Sequence, residues 1–104
     1  MATVSVYAIF ASAEEAERIG RIVVEERLAA CINILAPCRS IYRWHGKVEE
    51  ADEIPALLKT TVERADALIT RIAELHSYDV PCITVSPVTK LLADYAGWVE
   101  DSVG

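Results

Sequence analysis

The feature that most constrains the fold is a pair of long strand-like stretches joined by a tight reversal. The stretches Cys31 to Trp44 and Val48 to Thr60 are rich in β-branched, aromatic and aliphatic residues. Gly46 lies between them and can adopt the positive φ that a tight turn requires. Pro37 cannot donate a ladder hydrogen bond, so we expect the first stretch to bend there without breaking. This pattern predicts a β-hairpin that is unusually long for a chain of 104 residues.

The residues before the hairpin predict one strand and one helix. The segment from Thr3 to Phe10 alternates with apolar residues on both faces, which is typical of a strand in the middle of a sheet. Ser12 and Glu15 then have the spacing of a capping box, the pattern that opens many helices. We therefore expect a helix from about Ala13 to Leu28, with an apolar face formed by Ala16, Ile19 and Val23.

The residues after the hairpin predict a second helix, a short strand and a last helix. Thr60 and Glu63 repeat the capping-box spacing, and the helix that they open is expected to end near His76. A short strand from Cys82 to Ser86 follows, and Thr89 starts the last helix. The apolar residues of these two helices are Ala65, Leu68, Ile69, Ile72 and Leu75 in the first and Leu92, Tyr95, Trp98 and Val99 in the second.

The order βαββαβα predicts an α/β (α+β) ferredoxin-like sandwich, formed by a single domain over residues 1–104. In this arrangement an antiparallel sheet is covered on one face by two helices. We expect the other face and the long hairpin to expose apolar surface and unpaired strand edges. Self-association would bury both, so the fold itself predicts an oligomer.

Composition and charge exclude several classes of function. The net charge of −6 repels phosphate backbones and no cluster of Lys or Arg offsets it, so we expect no nucleic-acid partner. No apolar run approaches the roughly 20 residues of a membrane span, and the N-terminus has no pattern of an export signal. The cysteines Cys31, Cys38 and Cys82 are odd in number and lack C-x-x-C spacing, which favours reduced thiols. These observations predict a cytoplasmic protein.

Short motifs of one known family are spread over nearly the whole chain. They are A-A-C-x-N at Ala29–Asn33, S-x-Y-x-W-x-G-K at Ser40–Lys47, Glu53 six positions before Lys59, K-T-T at Lys59–Thr61, the segment Leu75–Ile83, and Tyr95 with Trp98. In these motifs the chain resembles the CutA family, the divalent-ion tolerance proteins. The resemblance implies a homotrimer whose long hairpins pair with neighbouring subunits, and a link to divalent-metal tolerance and copper binding. The family is also similar in architecture to the PII signalling proteins.

The chain departs from the family pattern at three positions that bear on metal binding. Ser77 stands where the family usually has proline, and Cys82 stands where it usually has glutamate. Phe10 stands where some members carry a cysteine. A copper site that depends on those groups does not carry over to this chain.

Soft donors that suit copper or zinc are few and widely spaced. None of Cys31, Cys38, Cys82, His45 and His76 forms a metal-binding spacing motif, so we expect any site to lie between subunits. Our predicted ligands for Cu²⁺ or another divalent ion are Cys31 and His76. The alternatives are that Cys31 is a small buried hydrophobe and that His76 is a structural residue at a helix end. A run of acids after the turn, Glu49, Glu50, Asp52 and Glu53, indicates diffuse attraction of cations.

Two large aromatics, Tyr42 and Trp44, lie on one face of the predicted hairpin and are expected to anchor an interface between subunits. Alternatively, Trp44, Lys59 and Tyr78 surround a cleft between subunits that accepts a small anionic ligand. That alternative corresponds to a signalling or scaffold trimer similar to the PII proteins. No nucleophile with a base, carboxylate pair or glycine-rich phosphate loop is apparent, so the sequence predicts a binding protein and not an enzyme.

Overall fold

A computed structural model describes residues 2–104, and Met1 lies outside the described part. Over this range the chain alternates between strands and helices in the predicted order. The elements are β1 (Thr3–Phe10), α1 (Ala13–Glu25), β2 (Cys31–Ile34), β3 (Cys38–Trp44), β4 (Lys47–Thr61), α2 (Val62–Leu75), β5 (Ile83–Pro87) and α3 (Ala93–Ser102).

The main sheet has the strand order β2-β4-β1-β5, and every neighbouring pair is antiparallel. This order confirms the ferredoxin-like fold, and β1 occupies the middle of the sheet as predicted. The fifteen-residue strand β4 continues beyond the main sheet, where its first half pairs with β3. The β3–β4 hairpin therefore projects from the body of the subunit. With the hairpin included, the subunit measures 45 × 26 × 23 Å.

The hydrophobic core lies between the sheet and the helices α1 and α2. Strand alternation sends one set of side chains from β1 and β4 to this side. Apolar residues at helical spacing on α1 and α2 complete the core. Its buried members are Val6, Ala8, Phe10, Ala16, Ile19, Val23, Ala29, Ile54, Ala56, Leu58, Leu68 and Ile72.

Helix α3, which the sequence predicted, partly covers the second face of the sheet, a position that the sequence did not predict. Cys31 shares this face with its β4 partner Lys59, and the Cys31 Sγ lies 3.7 Å from the Tyr95 Oη of α3. Val99 of α3 is fully buried and packs with Ala30. Since α3 covers one end of this face, the other end stays open and forms the cleft described below.

Three predicted helix boundaries were wrong, two of them for identifiable reasons. Helix α1 ends at Glu25 and not at Leu28, because Arg27 adopts a left-handed φ of 62° and Leu28 N donates back to Val23 O over 3.0 Å. This is a Schellman ending in which arginine stands where glycine is usual. Thr60 does not cap α2: it lies in β4, and its hydroxyl donates to Leu28 O over 2.7 Å. Helix α3 begins at Ala93 and not at Thr89.

The first predicted long stretch is broken, where a bend was expected. Residues 35–37 separate β2 from β3 and belong to neither strand. The break does not free the chain, since Leu35 N still donates to Pro55 O of β4 over 2.9 Å. The cap at Ser12 is confirmed, because its Oγ accepts from Glu15 N over 3.1 Å.

Helix α1 lies close to strand β2 at Gly20, where an added Cβ would lie 2.9 Å from both Cδ1 and Cγ2 of Ile32. Because isoleucine is stiff, we expect Gly20→Ala to destabilise the protein by about 1–3 kcal/mol through overpacking. Gly97→Ala is the matched control, since nothing lies within 4 Å of a Cβ there. It should be neutral or stabilise by about 0.5–1 kcal/mol. Urea unfolding at one protomer concentration measures both, and equal stabilities would contradict the prediction.

Candidate functional site

The open end of the second sheet face forms a cleft of about 660 Å³. Its floor is β1, one wall is the β3–β4 hairpin, and the other wall is the segment 76–82 that joins α2 to β5. The lining residues are Tyr7, Ile9, Ser40, Tyr42, Arg43, Trp44, Glu49, Glu53, Tyr78, Asp79, Val80 and Cys82.

Strand alternation gives the hairpin two chemically different faces. Ser40, Tyr42 and Trp44 lie at every second position of β3 and turn towards the cleft. Ile41 and Val48 lie on the reverse face, where they are 66% and 65% exposed. The hairpin thus presents an aromatic face to the cleft and an aliphatic one to its outside.

Charge in the cleft is predominantly negative. Three carboxylate residues, Glu49, Glu53 and Asp79, contribute to the lining, and Arg43 is the one basic residue among those that line it. The Tyr78 hydroxyl donates to Glu53 Oε2 over 2.7 Å, which ties segment 76–82 to β4. Burial, together with this hydrogen bond and the Glu53 charge, raises the pKa of Tyr78 well above its usual range. The Tyr78 phenol is therefore a neutral donor at physiological pH.

His76 anchors the start of segment 76–82 from inside the protein. Its Nε2 lies 2.7 Å from Ile9 O, and its Nδ1 accepts from Tyr78 N over 3.0 Å. Because a carbonyl can only accept, the proton is on Nε2 and the ring is neutral. The ring also stacks on Phe10, with centroids 5.3 Å apart. Both ring nitrogens are thus engaged in the subunit itself.

Glu15 holds the same segment from the first turn of α1. One carboxylate oxygen accepts from Ala11 N over 3.1 Å and the other accepts from Ser77 N over 3.0 Å. Burial opposes ionisation, but the hydrogen bonds from Ser77 and Ala11 outweigh it and lower the pKa of Glu15. The sequence identified Glu15 only as part of a capping box, since its contact with Ser77 spans 62 positions.

The predicted metal ligands lie apart. Cys31 is on β2 beneath α3, opposite Lys59 on β4, whereas His76 is at the far end of the sheet beside Ile9. Within residues 2–104, no group of three or more His, Cys, Asp or Glu side chains is arranged to hold a metal ion. The residues of one subunit therefore do not fit a preformed metal site, and Cys31 and His76 cannot share one ion within it.

Three of the four predicted cleft or interface residues come together. Tyr42, Trp44 and Tyr78 line the same cleft, whereas Lys59 does not contribute to its lining. Lys59 pairs with Ser5 and Cys31, towards the end that α3 covers. The sequence missed Tyr7, although its place on the second face of β1 was readable from the strand alternation.

Comparisons with known proteins match the chain to a single family along nearly its whole length. Residues 4–102 match the family model described as CutA1 divalent ion tolerance protein. A relative from Pyrococcus horikoshii, described as divalent-cation tolerance protein CutA, is 43% identical over 94 residues, which cover 90% of this chain and 91% of the relative. A protein of the same description from Thermus thermophilus is 42% identical over 93 residues, which cover 89% of this chain and 90% of that protein.

Solved structures of similar proteins have the same fold. The crystal structure of CutA from Xylella fastidiosa has a TM-score of 0.96 and 35% identity over the full length of both chains. A structure from Archaeoglobus fulgidus, described as a periplasmic divalent cation tolerance protein, has a TM-score of 0.95 and 35% identity, and the match covers 98% of this chain and 99% of that one. The fold, the family model and the relatives coincide, and the chain belongs to the CutA1 divalent ion tolerance protein family.

Proposed function

We propose that the protein works as a homotrimer that binds divalent cations, Cu²⁺ among them, and supports tolerance of those ions in the cytoplasm without catalysing a reaction. The observation that carries the proposal is the projecting hairpin. A lone subunit leaves this hairpin largely in water, although it carries apolar side chains on both faces.

The exposed surface of the hairpin favours assembly. In the described part of the chain β3 pairs only with β4, so its outer edge offers unpaired backbone groups. Ile41 and Val48 expose apolar surface on the reverse face. Tyr42 and Trp44, 38% and 43% exposed, remain our proposed aromatic anchors at the side of the cleft. Copies of the chain that add to this edge would pair its free backbone groups and bury the exposed aliphatic and aromatic side chains.

The cation part of the proposal rests on charge and on the family. Relatives are described as divalent-cation tolerance proteins, and this chain carries a net charge of −6. Since residues 2–104 of one subunit hold no preformed group of metal ligands, the Cys31 thiolate and the His76 imidazole would need donors from a neighbouring subunit. His76 would also give up one of its two internal hydrogen bonds.

Calorimetric titration of the apo-protein with Cu²⁺ and Zn²⁺ tests the proposed ligands. We expect binding tighter than about 100 μM, and we expect Cys31→Ser and His76→Gln each to weaken it about tenfold or more, because each removes a donor. Cys38→Ser is the control, since Cys38 is another partly buried thiol that is not a proposed ligand. If neither Cys31→Ser nor His76→Gln changes the affinity, Cys31 and His76 are excluded as ligands.

A second candidate function is a signalling or scaffold trimer, similar to the PII proteins, that binds a metabolite or a protein at its clefts. The size of the cleft favours it, since about 660 Å³ is typical of small-molecule sites. An anionic ligand would require Lys59 from a neighbouring subunit. A thermal-shift screen with nucleotides and organic acids separates this candidate from the first, because a ligand at 100 times its dissociation constant adds about 2.7 kcal/mol of stability.

A further inference from the structure

Helix α3 is held against the second face of the sheet by few apolar side chains of its own subunit. Val99 is the buried residue of the helix, and Val103, which follows the helix, packs with it against Ala30. The Arg27 guanidinium donates to Asp101 O over 2.9 Å, but this bond is exposed and water competes for it. Because α1 and α2 bury more residues each, α3 is attached more weakly than either of them.

Two buried hydroxyl groups lie on the face that α3 covers. Thr3 and Thr61 are direct partners across β1 and β4, and strand alternation places both on the same side as Lys59. Helix α3 packs on both strands, and the two threonines are 4% and 0% exposed. Within residues 2–104 neither Oγ1 has a hydrogen-bond partner, and Thr61 does not use its side chain to cap α2. A hydroxyl that is buried in this way costs free energy.

Assembly with other subunits does not remove this cost. Both hydroxyl oxygens are already inaccessible inside one subunit, so atoms of a neighbouring copy cannot reach them. Movement of α3 away from the sheet would instead expose Thr3 and Thr61 to water, which can bond to both. The docked position of α3 therefore combines a small apolar contact with an unfavourable burial of polar groups, and such a segment opens more readily than the core of the protein.

We propose that α3 is a lid that opens locally from the sheet, favoured by hydration of the Thr3 and Thr61 hydroxyls, and that its opening admits a soft metal ion to the Cys31 thiol. In the closed position the Tyr95 Oη of α3 lies 3.7 Å from the Cys31 Sγ. The role of Cys31 as a ligand rests on the proposed function, whereas the movement of α3 can be measured without any metal.

The rate of Cys31 alkylation by iodoacetamide tests the proposal. Substituting Cys38→Ser and Cys82→Ser leaves Cys31 as the one thiol, and mass spectrometry follows its modification. In this background Thr61→Val keeps the shape of the side chain and removes the buried hydroxyl, so we expect alkylation to slow about fivefold or more. Thr3→Val should slow it similarly. Val99→Ala removes docking contacts and should accelerate it about tenfold or more.

Thr60→Val is the matched control for Thr61→Val. Thr60 is the neighbouring residue and is also fully buried, but its hydroxyl donates to Leu28 O over 2.7 Å. Removing this hydroxyl breaks a hydrogen bond and relieves no unfavourable burial. The control should therefore not slow the alkylation of Cys31.

Hydrogen exchange on the unsubstituted protein gives an independent measurement, because the amides of α3 should exchange faster than those of β1. Equal protection of the two elements would overturn the proposal. Unchanged or faster alkylation in both Thr61→Val and Thr3→Val would also overturn it, and the faster rate would indicate a confined water molecule that bridges the hydroxyls. Alkylation that slows as the protein concentration rises would show that dissociation of subunits, and not α3, exposes Cys31. Calorimetry with Cu²⁺ tests Cys31 as a ligand separately, so the two failures are distinguishable.

Discussion

Replacing both Ile41 and Val48 with aspartate should convert the assembly from a trimer of about 34 kDa, three times the 11.4 kDa chain, to monomers. Both side chains are about two-thirds exposed in the subunit and lie on the reverse face of the hairpin. Assembly through the hairpin would surround the new carboxylates with apolar groups, which costs several kcal/mol for each charge without a partner. Multi-angle light scattering at micromolar concentration measures the mass directly.

Leu92→Asp is the matched control for this prediction. Leu92 is an apolar residue that is still more exposed, at 73%, but it lies at the N-cap of α3 and far along the chain from the hairpin. Aspartate is a favourable N-cap residue, so the variant should keep both its stability and the parental mass. A double variant that stays trimeric would show that the reverse face of the hairpin is not the interface. A parent protein that is monomeric would contradict the trimer itself.

Glu15→Gln should lower the free energy of unfolding by about 1–3 kcal/mol at neutral pH. The carboxylate accepts one backbone N–H on each oxygen, from Ala11 and Ser77, whereas glutamine offers a single oxygen. One buried N–H would then face an amide group that cannot accept its hydrogen bond. Urea unfolding at a fixed protomer concentration measures the loss.

Glu14→Gln separates this effect from that of the helix dipole. Glu14 lies beside Glu15 in the first turn of α1 and is exposed, so the two variants change the charge near the helix N-terminus equally. We expect the control to change stability by less than about 0.5 kcal/mol. If the two variants were equally stable, the buried hydrogen bonds of Glu15 would not matter.

The effect of Glu15 should also depend on pH in a defined direction. The folded state lowers the pKa of Glu15, so its contribution is fully present above the unfolded pKa of about 4.3. That contribution is lost as the pH falls through the folded pKa, because the carboxyl group then becomes protonated in both states. The difference between the parent and Glu15→Gln should therefore be constant near neutrality and shrink below about pH 4.

Local patterns in the sequence predicted most of the fold, and the misses have physical causes. The alternation in β1 and the spacing in α1 were sufficient, because both elements face one continuous core. The end of α1 was missed because Arg27 takes the left-handed position without the usual glycine. The capping box at Thr60 was a false signal. Strand β4 continues through Thr60 to Thr61, directly before α2, and the Thr60 hydroxyl bonds to Leu28 O instead of capping the helix.

The candidate site was predicted only in part. Tyr42 and Trp44 share a face because they are two positions apart on a strand, which the sequence shows directly. Lys59 was predicted to join them at a cleft between subunits. Within one subunit it lies apart, because six residues along a continuous strand separate it from Glu53 by about 20 Å, so that prediction depends on a neighbouring subunit. The role of Glu15 could not be predicted, because it depends on tertiary contacts with segment 76–82.

The continuity of β4 determines which face each hairpin residue occupies. Its second half is fixed by the core, where Ile54, Ala56 and Leu58 must point towards the helices. A shift by one position would turn all three to the other side of the sheet. The packing of the core thus sets the orientation of the projecting hairpin, whereas the side chains at positions 47–53 of β4 are not part of the core. Substitutions on the exposed hairpin can therefore change which surfaces it binds without changing the packing of the subunit core.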